Sequence, residues 1–448
     1  MLRIRWSDPE PEDQAAPLPW PYAALITGTL FLNFPFWYGH GDDLWLPGTL
    51  PQFAAVLATV TLAITALFFA APALASHAAR RPLFDIVESS LGSIPAWLVR
   101  LCSIWFLVVW TGWLVALPAS WFLPFILRRD VSTAESGVVS AALVVFLFVT
   151  GLQSLRTSAK MALFSDKLGF AILVAALVRV HEGLPAALTS VPNFTVYSGT
   201  AIAWHGLSLL AFNVGPLILL ASDFGYRMKG RKQVALTAGV GIVLPFCVTM
   251  LLVSVIGLAT GASRYYQPSL QPTVAMALWS RAAGSALPGR MMIAAMTIFG
   301  AVRFGARSLR TSVSMPVIGR RLSMVPLGCF AAVVVGCSLY RFDAKLETTF
   351  ETSATCLAVA AAVLTGDFVS GARRAVTVRR IDWVGFGALV AGLATAYRVR
   401  FWAAYATDAW WEPELLPSYG AAFMACFIGR VLQRKFARQF PSVPAVVL

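Results

Sequence analysis

Apolar positions in this chain come in long unbroken runs separated by short polar links. They do not alternate every second residue, as the strands of a membrane barrel would require. A helix needs about 20 mostly apolar residues to cross a bilayer. Twelve runs are candidates, near 17–38, 50–75, 94–117, 135–155, 159–180, 200–223, 234–260, 288–309, 323–340, 350–371, 383–398 and 415–433. The fourth and fifth are parted only by Leu155-Arg156-Thr157-Ser158, and the eleventh is the shortest. The pattern predicts an all-α polytopic membrane protein with twelve transmembrane helices.

Composition agrees and removes the alternatives. Of 448 residues, 58% are hydrophobic and only 12% are charged, with a mean hydropathy of +0.72. Soluble domains carry about 25% charged residues, so this chain cannot coat a water-soluble enzyme, and it is neither disordered nor a disulfide scaffold. Residues 1–16 are polar and hold Asp8, Glu10, Glu12 and Asp13. That is not the basic start of a cleaved signal peptide, so the first apolar run is expected to remain.

The net charge of +14 suggests nucleic acid until the positions of the charges are considered. With the N-terminus inside, 21 of the 35 Lys and Arg fall in cytoplasmic segments, 9 fall outside and 5 lie within helices. This is the positive-inside bias, and it predicts a plasma (inner) membrane protein with both termini cytoplasmic. The expected partners are membrane lipid and a small-molecule solute, with no nucleic acid. Cys102, Cys247, Cys329, Cys337, Cys356 and Cys426 all sit in apolar runs without a CxxC pair, so they read as small hydrophobes rather than disulfide or metal ligands. Four scattered histidines, His40, His77, His181 and His205, make no metal site, and no cofactor is expected.

Two runs are interrupted at corresponding places. The first contains Phe31-Leu32-Asn33-Phe34-Pro35 and the sixth contains Phe212-Asn213-Val214-Gly215-Pro216, each near mid-span. Pro35 and Pro216 remove a backbone donor and clash with the preceding turn. Irregular backbone at membrane depth survives only where it lines a cavity or is buried in protein. Matched interruptions in two halves are the sequence pattern of a transporter with inverted repeats; the plainer reading is that each proline only kinks its helix.

At three places the chain resembles the nucleobase:cation symporter-1 family, the purine, cytosine and hydantoin permeases. Ala221-Ser222-Asp223-Phe224-Gly225-Tyr226-Arg227, with the basic loop and Gly239 to Pro245 after it, is similar to the family's Asp-aromatic-Ser-Arg stretch and the next helix's glycine-rich start. Thr365-Gly366-Asp367-Phe368, then Arg379-Arg380-Ile381-Asp382-Trp383 and Gly385 to Gly392, resembles its Asp-Tyr ending, basic loop and Asn-Trp opening. Ser90-Leu91-Gly92 with Arg100 and Trp105-Phe106 resembles the sequence leading into span three. The resemblance implies a leucine-transporter-like 5+5 inverted repeat plus two C-terminal helices. The units would be a tail 1–16, a first repeat 17–180, a second repeat 200–371, two helices 383–433 and a tail 434–448. It also implies alternating access for a small planar heterocycle, coupled to sodium or protons.

The resemblance places substrate contacts. Trp105 matches the tryptophan that stacks on the flat face of the base, and such stacking is worth about 1–3 kcal/mol per base in nucleic-acid systems; packing is the alternative role, shared with Trp110 and Trp113. Val109 stands where the family often has glutamine, and Leu107 where it has glycine. Asn213 can recognise an amide-like edge or bond freed backbone groups, and Phe34 and Phe212 are candidate pocket walls beside Asn33 and Gly215.

Span eight carries an oddity. Arg303 and Arg307 share one face four residues apart, a turn after Gly300, where the family holds small hydroxyls for sodium and an asparagine for substrate; Thr297 is the nearest hydroxyl. An intramembrane arginine is a functional hypothesis by default. A guanidinium can replace the sodium ion, pair an anionic substrate through its fork, or snorkel to the cytoplasmic face. Sodium coupling is therefore not expected. Asp223 and Asp367 end their helices beside basic loops and are expected to pair with loop arginines. The expected function is a permease for a nucleobase-like solute and not an enzyme. The alternatives are an amino-acid or organic-anion permease, a non-transporting homologue, or a membrane enzyme.

Overall fold

The computed structural model describes residues 17–31, 50–116, 129–151, 214–259, 344–371, 380–406 and 415–439, with scattered positions in 123–127, 160–185 and 332–336. Among the described residues there is no strand. The helices are α1 (Trp20–Phe31), α2 (Leu50–Thr65), α3 (Ala71–Ala79), α4 (Leu83–Leu91), α5 (Ser93–Ala116) and α6 (Thr133–Gly151). After them come α7 (Val214–Gly225), α8 (Arg231–Ala238), α9 (Leu244–Ala259), α10 (Ala344–Val369), α11 (Trp383–Ala406) and α12 (Leu415–Gln439). A π-helical segment, Ala66–Ala70, joins α2 to α3, and a second, Gly239–Val243, joins α8 to α9. Five described stretches are long and apolar enough to cross a membrane: Leu57–Ala79, Ser93–Gly112, Arg231–Thr249, Glu351–Val369 and Leu415–Phe436. The eleventh span, read from sequence as ending at 398, continues as helix to Ala406.

Water is absent from a bilayer core, and several buried hydroxyls bond within their own helix. Thr27, Thr61 and Thr365 each donate to the carbonyl four residues back, at 2.9, 2.6 and 2.8 Å. At the start of α6, Ser132 and Glu135 form a reciprocal cap. The Ser132 N–H donates to Glu135 Oε2 at 2.9 Å, and the Glu135 N–H donates to Ser132 Oγ at 3.3 Å. Arg129 closes on the same carboxylate through both terminal nitrogens. Ser132→Ala is expected to lower stability by about 1 kcal/mol, read as a small fall in the melting temperature of purified protein.

At the centre lies α10, whose residues from Leu357 to Leu364 are all buried. Its alanines (Ala358, Ala360, Ala361, Ala362) let neighbouring helices approach closely, the usual way helices pack where lipid supplies no hydrophobic drive. Glycines bring α11 and α12 onto it. A Cβ on Gly392 would lie 2.6 Å from Val359 Cγ1 and 2.8 Å from Ala422 Cβ, and one on Gly366 would lie 3.0 Å from the Phe423 carbonyl.

Polar links tie the helix ends in two groups. Leu18 N–H donates to the Arg227 carbonyl at 3.0 Å and Arg80 Nη1 to the Met228 carbonyl at 3.1 Å, joining α1, α3 and the end of α7. In the other group, Ile94 N–H donates to the Arg380 carbonyl and Asp382 N–H to the Leu91 carbonyl, joining the α4–α5 corner to the start of α11. Gly92 turns that corner at φ +91°, where a Cβ would also strike Ile381 Cα at 2.6 Å.

Candidate functional site

Helix α7 is described from Val214 onward and contains Gly215 and Pro216; the residues before Val214, where the sixth run reads as interrupted, lie outside the described residues. Gly215 is required by what faces it: a Cβ there would lie 2.2 Å from Phe106 Cζ and 2.6 Å from both Phe106 Cε atoms. The ring of Phe106 thus stands end-on against the backbone of α7. Phe106 is the fourteenth residue of α5, about 20 Å from its start.

Phe106 is fully buried and lies nearly parallel to the Trp110 indole, with centroids 5.9 Å apart and planes 14° apart. Trp110 is buried too, and the neighbouring Thr111 hydroxyl is enclosed without a hydrogen-bond partner among the described residues. Of the stacked pair, Phe106 is the ring that meets α7. Val109 and Leu107 are packed in the core. Lower on α5, the Cys102 and Cys356 thiols meet between α5 and α10, and both are free cysteines.

Trp105 sits elsewhere. It is 37% exposed, on the stripe that also carries exposed Ile94, Leu98 and Leu101. Sequence order alone could not separate Trp105 from Trp110, since an α-helix sends residues five apart to different faces. The structure brings Phe106, on which Trp110 stacks, against Gly215. Val99, Ser103, Phe106 and Trp110 share one face at helical spacing, and all four are buried. Of the other proposed site residues, Asn33, Phe34, Pro35, Phe212, Asn213, Thr297, Arg303 and Arg307 lie outside the described residues.

A second polar constellation lies at one end of the bundle. Asp367, at the end of α10, was expected to pair with a loop arginine; its partner is Arg430, inside α12. Arg430, counted from sequence with the cytoplasmic charges, is buried. Its Nε bonds Asp367, its Nη1 lies 3.2 Å from Asp382 Oδ2, and its Nη2 donates to the Ser90 carbonyl at 3.2 Å. Asp382 in turn accepts from the Gly385 N–H at 3.0 Å. One guanidinium so joins α4, α10, α11 and α12, with its donors spent on groups that would otherwise be buried unpaired. Arg100, only 6% exposed within α5, is likewise matched, by Glu88 of α4 at 2.8 Å. Among the described residues no group of three His, Cys, Asp or Glu is placed to hold a metal ion.

Comparison with solved structures defines the class first. The chain has the leucine-transporter-like helical fold and is an integral membrane protein, and the structures it matches below are of transporters rather than enzymes. One is Mhp1, a nucleobase-cation-symport-1 family transporter, in a closed conformation with bromovinylhydantoin bound. It shares 13% identity over 98% of each chain, with a TM-score of 0.64. Another is a Na+-coupled sialic acid symporter in a substrate-bound outward-open state, at 11% identity over 94% of this chain and 92% of that one, TM-score 0.63. The inward-facing conformation of Mhp1 matches at 14% identity over 97% of this chain and 94% of that one, TM-score 0.59. No family model and no curated protein matches the chain.

Proposed function

We propose that this chain is a secondary transporter that carries a small planar heterocycle across the plasma (inner) membrane by alternating access. It would be a divergent relative of the nucleobase:cation symporters with both termini in the cytoplasm. The observation that carries the reading is the parallel Phe106–Trp110 pair set against Gly215 at the start of α7, in a chain of this fold. A flat ring gains most from stacking on an indole or phenyl face while its edge finds hydrogen-bonding groups. The solute is proposed to lie at mid-membrane between spans one, three, six and eight, where Asn33, Phe34, Phe212, Asn213, Gly215 and Arg307 complete the lining. Arg303 takes the place of a sodium ion, so the coupling ion, where there is one, is the proton. A solved neighbour bound to a hydantoin supports this solute class.

A second reading has its own support. Arg303 and Arg307 in span eight suit a carboxylated solute, and one solved neighbour is a sialic acid symporter. The carrier would then be an organic-anion permease of the same fold.

The test is a thermal-shift screen of purified protein against nucleobases, hydantoins, amino acids and small organic anions, with sodium, with potassium, and at two pH values. A ligand at a hundred times its Kd stabilises by about 2.7 kcal/mol. The expected result is a shift with a flat heterocycle, independent of sodium, abolished in Trp110→Ala and retained in Trp105→Ala. The reverse pattern of the two variants would move the solute to the opposite face of α5. A shift with carboxylated compounds alone, lost in Arg303→Ala, would establish the organic-anion reading instead.

A further inference from the structure

We propose that the two π-helical segments are repeat-related hinges of unequal freedom: Tyr419 of α12 clamps Ala66–Ala70, and bending is concentrated in Gly239–Val243. Their kinship rests on the inverted-repeat reading of the proposed function, whereas the clamp rests on contacts alone.

Both segments have one cause. Proline lacks an N–H and crowds the carbonyl four residues back, and a helix can absorb that by widening a turn. Pro72 stands six residues after Ala66, and Pro245 six residues after Gly239. Both bounds of the second segment, and its proline, lie 173 residues after those of the first (Ala66 to Gly239, Ala70 to Val243, Pro72 to Pro245). In each, the closing bond spans five residues, from the Ala71 N–H to the Ala66 carbonyl and from the Leu244 N–H to the Gly239 carbonyl. The burial pattern repeats as well, with the third and fourth residues buried: Phe68 and Phe69, then Gly241 and Ile242. Each segment also packs on a helix from an interrupted run. A Cβ on Gly241 would lie 2.3 Å from Thr27 Oγ1 and 2.7 Å from Ala24 Cα of α1, and Ala66–Ala70 lies against α7.

The widened turn leaves one carbonyl in each segment, on Leu67 and on Val240, facing a proline that has no N–H to give. At the first segment an outside group answers. The Tyr419 hydroxyl has one hydrogen to share between the Leu67 carbonyl at 3.4 Å and Thr365 Oγ1 of α10 at 3.1 Å, whose own hydrogen goes to the Ala361 carbonyl, and the Tyr419 ring meets Phe68 edge-on at 5.1 Å and 77°. Tyr419 is buried, so this bond is shielded from competition by water. The second segment carries two glycines, which lose the most conformational freedom when held in a helix. Among the described residues nothing lies within 4 Å of a Cβ placed on Gly239, and Val240 is 44% exposed. Movement of α1 is therefore taken up at Gly239–Val243, while α2, α3 and α7 stay with α10 and α12.

Hydrogen exchange of the purified full-length protein, followed by mass spectrometry, tests this without any solute, so a failed ligand screen leaves it standing or falling by itself. Amides at 241–247 should exchange about tenfold or more faster than those at 68–74. Tyr419→Phe, which keeps the ring on Phe68 and removes the hydroxyl, should speed exchange at 68–74 about fivefold and leave 241–247 unchanged. Gly239→Ala fits sterically at its φ of −69° and should slow exchange at 241–247. Equal exchange of the two segments in the unaltered protein overturns the proposal. So does an unchanged 68–74 in Tyr419→Phe.

Discussion

Gly215→Ala is expected to destabilise the protein by about 1–3 kcal/mol, the usual range for an added methyl in a filled interior. The added carbon would lie 2.2 Å from Phe106 Cζ. The ring cannot swing away cheaply, since it is fully buried and stacked on Trp110. Strain would be relieved by parting α5 from α7, where the solute is proposed to bind. Thermal unfolding of the purified protein reads the stability loss. Phe106→Leu in the Gly215→Ala background should recover most of it, because the shorter side chain vacates the space. That recovery is a coupling between two contacting residues, which independent sites would not show. A Gly215→Ala protein as stable as the original would mean that Phe106 does not press on α7.

The second large effect belongs to Arg430. Arg430→Met should cost about 3–5 kcal/mol, because it leaves buried Asp367 and partly buried Asp382 without their shared cation. Asp367→Asn should be milder, about 1–3 kcal/mol, since Arg430 keeps Asp382 and the Ser90 carbonyl. The expected order in melting temperature is therefore original, then Asp367→Asn, then Arg430→Met. Equal losses in the two variants would show that the cation serves Asp367 alone. The cluster joins α12 to α4, α10 and α11, so Arg430→Met should also speed hydrogen exchange in α12 more than in α1.

Several features of the fold were legible in the residues. Long apolar runs far exceed what a soluble core needs, and the helices of the described residues begin and end close to them, as with Ser93–Ala116 for the run 94–117. The paired prolines behind the π segments stood in the sequence at equal spacing. Nothing in their composition, however, says whether a proline bends a helix, breaks it or widens one turn. That outcome depends on which neighbours donate to the displaced carbonyl, as Tyr419 does to Leu67.

The site was legible only in part. Family resemblance pointed to Trp105, but a helix rotates by 100° per residue, and which face meets α7 is decided by the partner helices. Here the buried face carries Phe106 and Trp110. Asp367 likewise looked like a partner for nearby loop arginines, because sequence shows only neighbours along the chain. Its partner stands 63 residues away, on a helix that closes against α10.

Lipid solubility, helical spans, the charge bias and the interrupted runs follow from residue order, because each depends on side-chain chemistry and local backbone limits alone. Which aromatic face meets the start of α7, which carboxylates share Arg430 and which π segment is clamped are matters of long-range packing. Those contacts join residues tens to hundreds of positions apart, so they exist only once the helices have closed on one another.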